Sequence, residues 1–271
     1  MNKLFDIDHK KIVITGGTGV LGTAWSHYLA AHGAHVLVLG KTAQESEPVV
    51  DSIRSQGGTA NAYGCDVTDE ENCKQVAGEI KGEFGDIDVL INAAGGNMKG
   101  ATIAPDQNLL NSDTEALRKI IDLNYIGTYL SIKSFLPLFL ERKVGSIINI
   151  SSMSAARPLT RVMGYSSSKA AIDNLTKWLA VEFAQKYGEG LRVNALAPGF
   201  FLTVQNKTLL TQNDGSLTAR GHQIVSNTPM GRFGQPEELF GAIHYLCSEA
   251  SKFVTGTILS VDGGFGAYSG V

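Results

Sequence analysis

Lys11–Thr15 (KIVIT) is a short β-branched run, and Gly16-Gly17-Thr18-Gly19-Val20-Leu21-Gly22 follows it at once. Thr23 to His32 then reads as a helix stopped by Gly33, and His35 to Leu39 as a second apolar strand. This strand, glycine loop, helix, strand order leaves few folds open, because both strands read as fully buried in a parallel sheet. It also gives the glycines a meaning beyond a tight turn. Glycines let the backbone approach a pyrophosphate, and the helix N-terminus offers N–H donors and a partial positive charge. Gly16, Thr18, Gly19, Val20, Leu21 and Gly22 are therefore candidate dinucleotide-binding residues.

The second strand runs into Gly40-Lys41-Thr42. An acid at this position would bind the ribose diol and select NAD. No Asp or Glu stands there, and Lys41 can meet a 2′-phosphate as a point charge, so the sequence favours NADP over NAD. Glu45 to Gln56 reads as a helix with Pro48 in its first turn, and Thr59 to Tyr63 as a strand leading to Cys65-Asp66-Val67. Thr68 to Glu71 fits a capping box opening a helix to Phe84, so Asp66 is either a cap-region residue or a contact for adenine. Ile87 to Asn92 is another strand, and its small continuation, Ala93-Ala94-Gly95-Gly96, would let the backbone close over a cofactor.

Alternation continues to the end. Asn97 to Ser112 is a polar loop with Pro105, of a length that is often functional. Asp113 to Arg142 is a long amphipathic segment with Asn124 in its middle, whose amide must find partners if buried. Strand Ser146 to Ser151, helix Gly164 to Tyr187 and strand Leu191 to Leu196 follow, the last ending at Pro198-Gly199. Phe200 to Phe233 is irregular and is expected to form a lid over 200–233. Pro236 to Ser248 reads as a helix and Thr257 to Val261 as a seventh strand. The expectation is a single α/β domain over residues 1–271, a Rossmann-type doubly wound parallel sheet of about seven strands. The glycine loop, Asn92, Ser152 and Pro198-Gly199 all follow strands, so they converge on one sheet edge, where such folds bind ligands.

Composition narrows the class. The chain has 271 residues, 43% of them hydrophobic and 18% charged, which fits one large core and excludes a disordered chain. A net charge of −3 leaves little field to attract nucleic acid. No run of 18 apolar residues suits a membrane, and Met1 to Lys11 lacks a signal-peptide stretch. Cys65, Cys73 and Cys247 show no metal spacing and read as reduced, buried thiols of a cytoplasmic protein.

Chemistry concentrates in Tyr165-Ser-Ser-Ser-Lys169. On a helix, i and i+4 share a face, so the Lys169 ammonium sits beside the Tyr165 phenol and favours the phenolate. Ser152, at the end of the preceding strand, offers a hydroxyl to a substrate oxygen. The trio reads as an acid/base acting on a carbonyl or alcohol.

Taken together, these residues resemble the short-chain dehydrogenase/reductase family from Lys11 to Gly264. The marks are Thr15-Gly16 with the glycine loop, Asp66, Asn92-Ala93-Ala94-Gly95, Asn124, Ser152, Tyr165, Lys169, Pro198-Gly199 with Thr203, and Val261-Asp262-Gly263-Gly264. Val20 departs from the family's commonest loop, TGxxxGxG, and leaves the spacing Gly16-x-x-Gly19-x-x-Gly22. The resemblance implies that Tyr165 exchanges the proton and that Lys169 holds the nicotinamide ribose and lowers the Tyr165 pKa. It implies that Ser152 binds the substrate oxygen, that Asn124 holds a water relaying protons from Lys169, and that Thr203 bonds the nicotinamide carboxamide. It also implies a homotetramer or homodimer, with Asp113 to Arg142 and Gly164 to Tyr187 as interface segments.

Arg157 and Arg161 lie on the connection from Ser152 to Tyr165, and Lys99 follows the Asn92 strand. Arginine matches a carboxylate bidentately, so these three are candidate substrate contacts. Gly95-Gly96-Asn97 and Arg157-Pro158-Leu159-Thr160-Arg161 are similar to a family branch of D-mannonate oxidoreductases (fructuronate reductases). That resemblance implies a carboxylate-bearing small molecule, D-fructuronate reduced reversibly to D-mannonate. A 3-oxoacyl thioester reductase or neutral polyol dehydrogenase of the same family, and a non-catalytic NADP-sensing protein, are the alternatives.

Overall fold

The computed structural model describes residues 3–203 and 207–270; the side chains of Lys99 and Thr208 also lie outside the described residues. Seven strands form one sheet in the order β3-β2-β1-β4-β5-β6-β7, all parallel. They are β1 (Lys11–Thr15), β2 (His35–Gly40), β3 (Thr59–Gly64), β4 (Val89–Asn92), β5 (Gly145–Ile150), β6 (Leu191–Pro198) and β7 (Ile258–Val261). Helices α1 (Val20–Ala31), α2 (Ala43–Ser55) and α3 (Glu70–Phe84) connect the first four strands. Order reverses between β1 and β4, so both strand ends open on one crevice, the switch point where such sheets bind ligands.

The core explains why the strands read as apolar on both faces. Ile12 and Ile14 pack on one side with Trp25 and Leu29, while Val13 between them packs on the other with Leu37, Phe135 and Phe139. Side chains alternate across the pleat, and each face of the sheet is roofed by helices.

Several local expectations need correction. Helix α2 begins at Ala43, capped by Thr42, whose side chain accepts from the Glu45 N–H, so Pro48 lies beyond the first turn. The α3 N-cap is Asp69, which accepts from the N–H groups of Glu71 and Asn72. Thr68 turns back instead, donating its hydroxyl to Asp66 at 2.7 Å. One carboxylate oxygen of Asp69 thus takes both N–H donors.

The Asp113–Arg142 segment is not one regular helix. It consists of α4 (Thr114–Ile121), a π-helical turn at Asp122–Ile126, α5 (Gly127–Phe135) and a 3-10 turn at Leu136–Leu138. Loop 97–112 holds two 3-10 turns, Lys99–Ala101 and Leu109–Asn111. Helix α6 spans Met163–Tyr187. The stretch 200–233 contains α7 (Lys207–Leu210) and α8 (Ala219–Ser226), rather than being wholly irregular. Its two ends are stapled: Leu202 N–H donates to Gly234 O at 3.0 Å, and Gly234 N–H to Phe200 O at 2.9 Å. The last helix is a 3-10 turn, Pro236–Leu239, running into α9 (Phe240–Cys247). No helix among the described residues is long and apolar enough to cross a membrane.

Candidate active site

The glycine loop is shaped by what cannot fit in it. Gly16 has φ +63°, and a Cβ there would lie 2.7 Å from the Ala94 backbone. A Cβ on Gly22 would lie 2.2 Å from Gly16 O, and one on Gly17 would lie 2.8 Å from Val38. Gly19 is the N-cap of α1 with no side-chain cap, and Val20 is the first helical residue. Val20 is thus tolerated where the commoner loop has glycine, because the position is ordinary helix. The N–H groups of the first turn are left for a ligand, which is the geometry a pyrophosphate requires. Thr18 packs its methyl near Gly40, and Leu21 packs on the core. The loop fits a dinucleotide.

Across the crevice, Ala93 and Ala94 are held to β1 through Thr15: Ala93 N–H donates to Thr15 O at 3.2 Å and Ala94 N–H to its Oγ1 at 3.3 Å. Gly95 and Gly96 follow at φ +154° each. A Cβ on Gly95 would sit 2.7 Å from Asn124 Oδ1 and 3.5 Å from Lys169 Nζ. Glycine is what lets the cofactor-side backbone lie against both groups.

Two further cofactor-binding candidates read from the sequence, Asn92 and Val67, have their side chains committed elsewhere. Asn92 is buried, donating to Asn149 Oδ1 at 2.9 Å and accepting from Ser131 at 2.7 Å. Asn149 in turn donates to Thr176 at 2.9 Å. This network pins β4, β5, α5 and α6 together beneath the site, so Asn92 has only backbone to offer a ligand. Val67 is buried against Gly127 and likewise presents backbone alone.

At the adenosine end, Lys41 is not a free charge. Its ammonium pairs with Asp66 at 3.2 Å. Asp66 also accepts from Thr68 N–H and hydroxyl, and these bonds, then Lys41, hold its carboxyl below the usual range. The Lys41 N–H donates to the Glu45 carboxylate at 3.1 Å. Glu45 was not singled out as a site residue by sequence, because it lies five residues beyond the end of β2 rather than on it.

The catalytic candidates converge as expected. Ser152 follows β5 and opens a 3-10 turn, accepting from Ser154 N–H at 3.2 Å. Its hydroxyl hydrogen-bonds the Tyr165 phenol, which lowers the phenol's pKa; burial raises it more, so the net value lies above the ordinary one. Lys169 is buried, donates to Ile150 O at 2.7 Å, and stands 5.6 Å from the Tyr165 ring centre. Burial depresses its pKa to about 8, against a raising contribution from Asp173. The Lys169 ammonium is aimed at the Ile150 carbonyl.

Asn124, fully buried in the π turn, accepts from Gly96 N–H at 3.0 Å and donates to Gly96 O and Ile120 O, each at 2.9 Å. Its amide thus clamps the Gly95-Gly96 backbone. A π turn leaves the regular i to i−4 ladder, and such turns recur at functional sites.

Pro198-Gly199 closes the crevice from β6, with Gly199 N–H donating to Val261 O at 2.9 Å. Thr203 O accepts from Lys207 N–H at 2.9 Å; residues 204–206 of the 200–233 segment lie outside the described residues. Neither candidate arginine reaches Ser152 or Tyr165 by a bond. Arg157 donates Nε to Gly266 O at 2.8 Å and ties down the C-terminal stretch. Arg161, with φ +74°, donates Nε to Ile103 O at 3.0 Å while its own carbonyl accepts from Ile103 N–H at 2.9 Å. It lines a cavity of about 540 Å³ with Thr102, Ser112 and Asp113. Lys99 lies in the 3-10 turn, and its side chain is outside the described residues. Cys65 and Cys73, apart in sequence, bring their sulfurs within 3.7 Å in the core.

The family model of enoyl-(acyl carrier protein) reductase matches residues 18–266. An uncharacterized Bacillus subtilis (strain 168) oxidoreductase, UxuB, is 45% identical over 97% of this chain and 96% of its own length. A proposed D-mannonate oxidoreductase from Haemophilus influenza, solved with bound NAD, is 42% identical, covers 98% of each chain and superposes with a TM-score of 0.91. A gluconate 5-dehydrogenase from Burkholderia cenocepacia J2315, solved with NADP and tartrate, is 28% identical over 98% of each chain with a TM-score of 0.87.

A buried ammonium costs stability that an apolar side chain would not. Its folded pKa of about 8 lies below the unfolded value, so the unfolded chain binds more protons between the two and stability rises with pH there. Replacing Lys169 with Met should raise unfolding free energy at pH 7 by roughly 2 kcal/mol, the desolvation cost less one lost hydrogen bond. Urea denaturation checks this, and the advantage should shrink as pH approaches 10.

Proposed function

The chain belongs to the short-chain dehydrogenase/reductase family and is a nicotinamide-dependent oxidoreductase, and from that premise we propose that it interconverts the ketone and alcohol of a sugar acid, D-fructuronate and D-mannonate. The observation that carries the chemistry is the meeting of Tyr165, Ser152 and Lys169 beside the Gly95 cradle. The bound dinucleotide would supply the hydride acceptor or donor. Gly16, Gly19 and Gly22 would hold its pyrophosphate side, Ala93, Ala94, Gly95 and Pro198-Gly199 would line its nicotinamide side, and Thr203 would bond its carboxamide.

Ser152 donates a hydrogen bond to the substrate oxygen and steadies charge that develops there. In oxidation, Tyr165 takes the hydroxyl proton; in reduction it returns one to the nascent alkoxide. Lys169 binds ribose hydroxyls and, with its ammonium freed toward the cleft, favours the phenolate. Asn124 keeps Gly95-Gly96 in place and offers the remaining lone pair of its Oδ1 to a relay water. The segment 200–233, stapled at Phe200 to Leu202 and Gly234, acts as a lid.

The sugar-acid assignment rests on the Haemophilus relative and on the placement of Arg157 and Arg161 along the connection from Ser152 to Tyr165. Each spends Nε on a main-chain carbonyl and keeps its terminal nitrogens for another partner. The tartrate-bound relative makes a 5-keto aldonate the second reading. Exposed Tyr129, Trp178 and Val181, on α5 and α6, support a homo-oligomer built on those helices.

The surroundings of Lys41 support NAD alongside the expected NADP. The Lys41 ammonium pairs with Asp66 and the Lys41 N–H donates to Glu45, so two carboxylates stand at the strand end that a 2′-phosphate would approach. The pair is exposed and weak, so a phosphate could break it, but the local charge still opposes a second anion. NAD is the dinucleotide this geometry favours.

Two measurements test these readings. A spectrophotometric screen of fructuronate, tagaturonate, 5-ketogluconate, neutral ketoses and 3-oxoacyl thioesters should give the largest kcat/KM with fructuronate; equal rates on neutral ketoses would overturn the carboxylate assignment. Glu45→Gln should raise kcat/KM for NADPH relative to NADH by about tenfold, the change expected for about 1.4 kcal/mol.

A further inference from the structure

Tyr165, Lys169 and Asp173 recur at i, i+4 and i+8 along α6 and so form one stripe of that helix. The first two belong to the proposed acid/base. Asp173 has been given no role. It is half-buried, with Oδ1 sealed from solvent and without a hydrogen-bond partner among the described residues. The Ser151 hydroxyl is sealed from solvent too, and it lies beside this carboxyl, favouring its charged form. Ser151 stands between Ile150, whose carbonyl receives the Lys169 ammonium, and Ser152.

A buried carboxyl oxygen without a donor is costly, and such orphans call for an explanation. The groups that act on Asp173 are few: Ser151 from β5, and Lys177 and Lys169 from its own helix. Burial pushes its pKa up, and those three pull it down. On the Lys169 side, Asp173 is the one charge among the described residues that opposes desolvation of the ammonium. Ile150 O accepts a bond but brings no charge.

We propose that Asp173 is a positioning residue of the active site, the counter-charge one helical turn from Lys169 that keeps its ammonium charged in a dry environment, with Ser151 orienting the carboxylate. It does not touch the reacting atoms; it acts through Lys169. The orphan Oδ1 then follows from function, since a carboxylate satisfied by strong donors would lose its hold on the lysine. This rests on the reading of Lys169 as the partner of Tyr165.

The test is the titration of Lys169 itself in the full chain, with and without NAD, followed by the side-chain carbon shift in NMR and assigned with Lys169→Met. Asp173→Asn keeps shape and removes charge. It should lower the Lys169 midpoint by about one pH unit, as loss of a nearby opposite charge does. Ser151→Ala should move it in the same direction by less, because the carboxyl loses a neighbouring hydroxyl that favours its charged form. A midpoint unmoved by Asp173→Asn, or by Ser151→Ala should the first variant fail to fold, overturns the proposal. A purely structural role would alter unfolding without moving the titration. The titration needs no turnover, so it stands apart from the acid/base reading: activity surviving in Lys169→Met would defeat that reading alone.

Discussion

The 2.7 Å bond from the Lys169 ammonium to the Ile150 carbonyl is the contact on which the site depends. It joins the middle of the cleft-facing helix to the end of a central strand and parks a positive charge where water does not reach. A hydrogen bond to a charged group is among the stronger ones, about 1.5–3 kcal/mol net, yet that is less than the cost of stripping the ammonium of solvent. The fold therefore holds Lys169 in an unfavourable place, and the surrounding structure has to compensate.

That compensation is visible in layers. The Ser131–Asn92–Asn149–Thr176 chain locks two strands and two helices under the site, with every amide group used in it drawn from buried residues. Asn124 clamps Gly95-Gly96 from the π turn, so the backbone that would lie against a nicotinamide cannot drift. Fully satisfied buried networks rigidify what they connect. The glycine loop opposite is held by exclusion rather than bonding, because Gly16 and Gly22 leave no room for a Cβ. One wall of the crevice is fixed by polar pairing and the other by close backbone packing.

The architecture was legible because the central strands β1, β2, β4 and β5 are apolar runs that end in, or run straight into, a glycine or small polar residue and lead into turns and helices. Seven strands were readable, and the sheet has seven parallel strands. Tyr165, Lys169, Ser152 and the glycine loop were legible because spacing along one helix or turn determines their juxtaposition. What was not legible depends on who else arrives in space. Asn92 looks like a ligand-facing residue at a strand end, but Asn149 and Ser131 come from distant segments to claim it. Lys41 reads as free until Asp66, from the next strand, pairs with it. Arg157 and Arg161 read as substrate contacts, and their Nε groups are taken by the Gly266 and Ile103 carbonyls. The π turn has no sequence mark beyond the polar Asn124 in an apolar helix face.

The central claim is that Tyr165 moves the proton while its neighbours hold the dinucleotide. Tyr165→Phe removes one oxygen and keeps the ring, so it separates the two roles. Paired measurements of NAD affinity by titration calorimetry and of turnover with the best substrate decide the matter. The account predicts an affinity within about a factor of two of the unaltered protein, since the phenol acts on the transition state, and a kcat lower by at least about a thousandfold, within the range for loss of a general acid. Turnover retained within tenfold, or NAD binding lost along with it, would contradict the account.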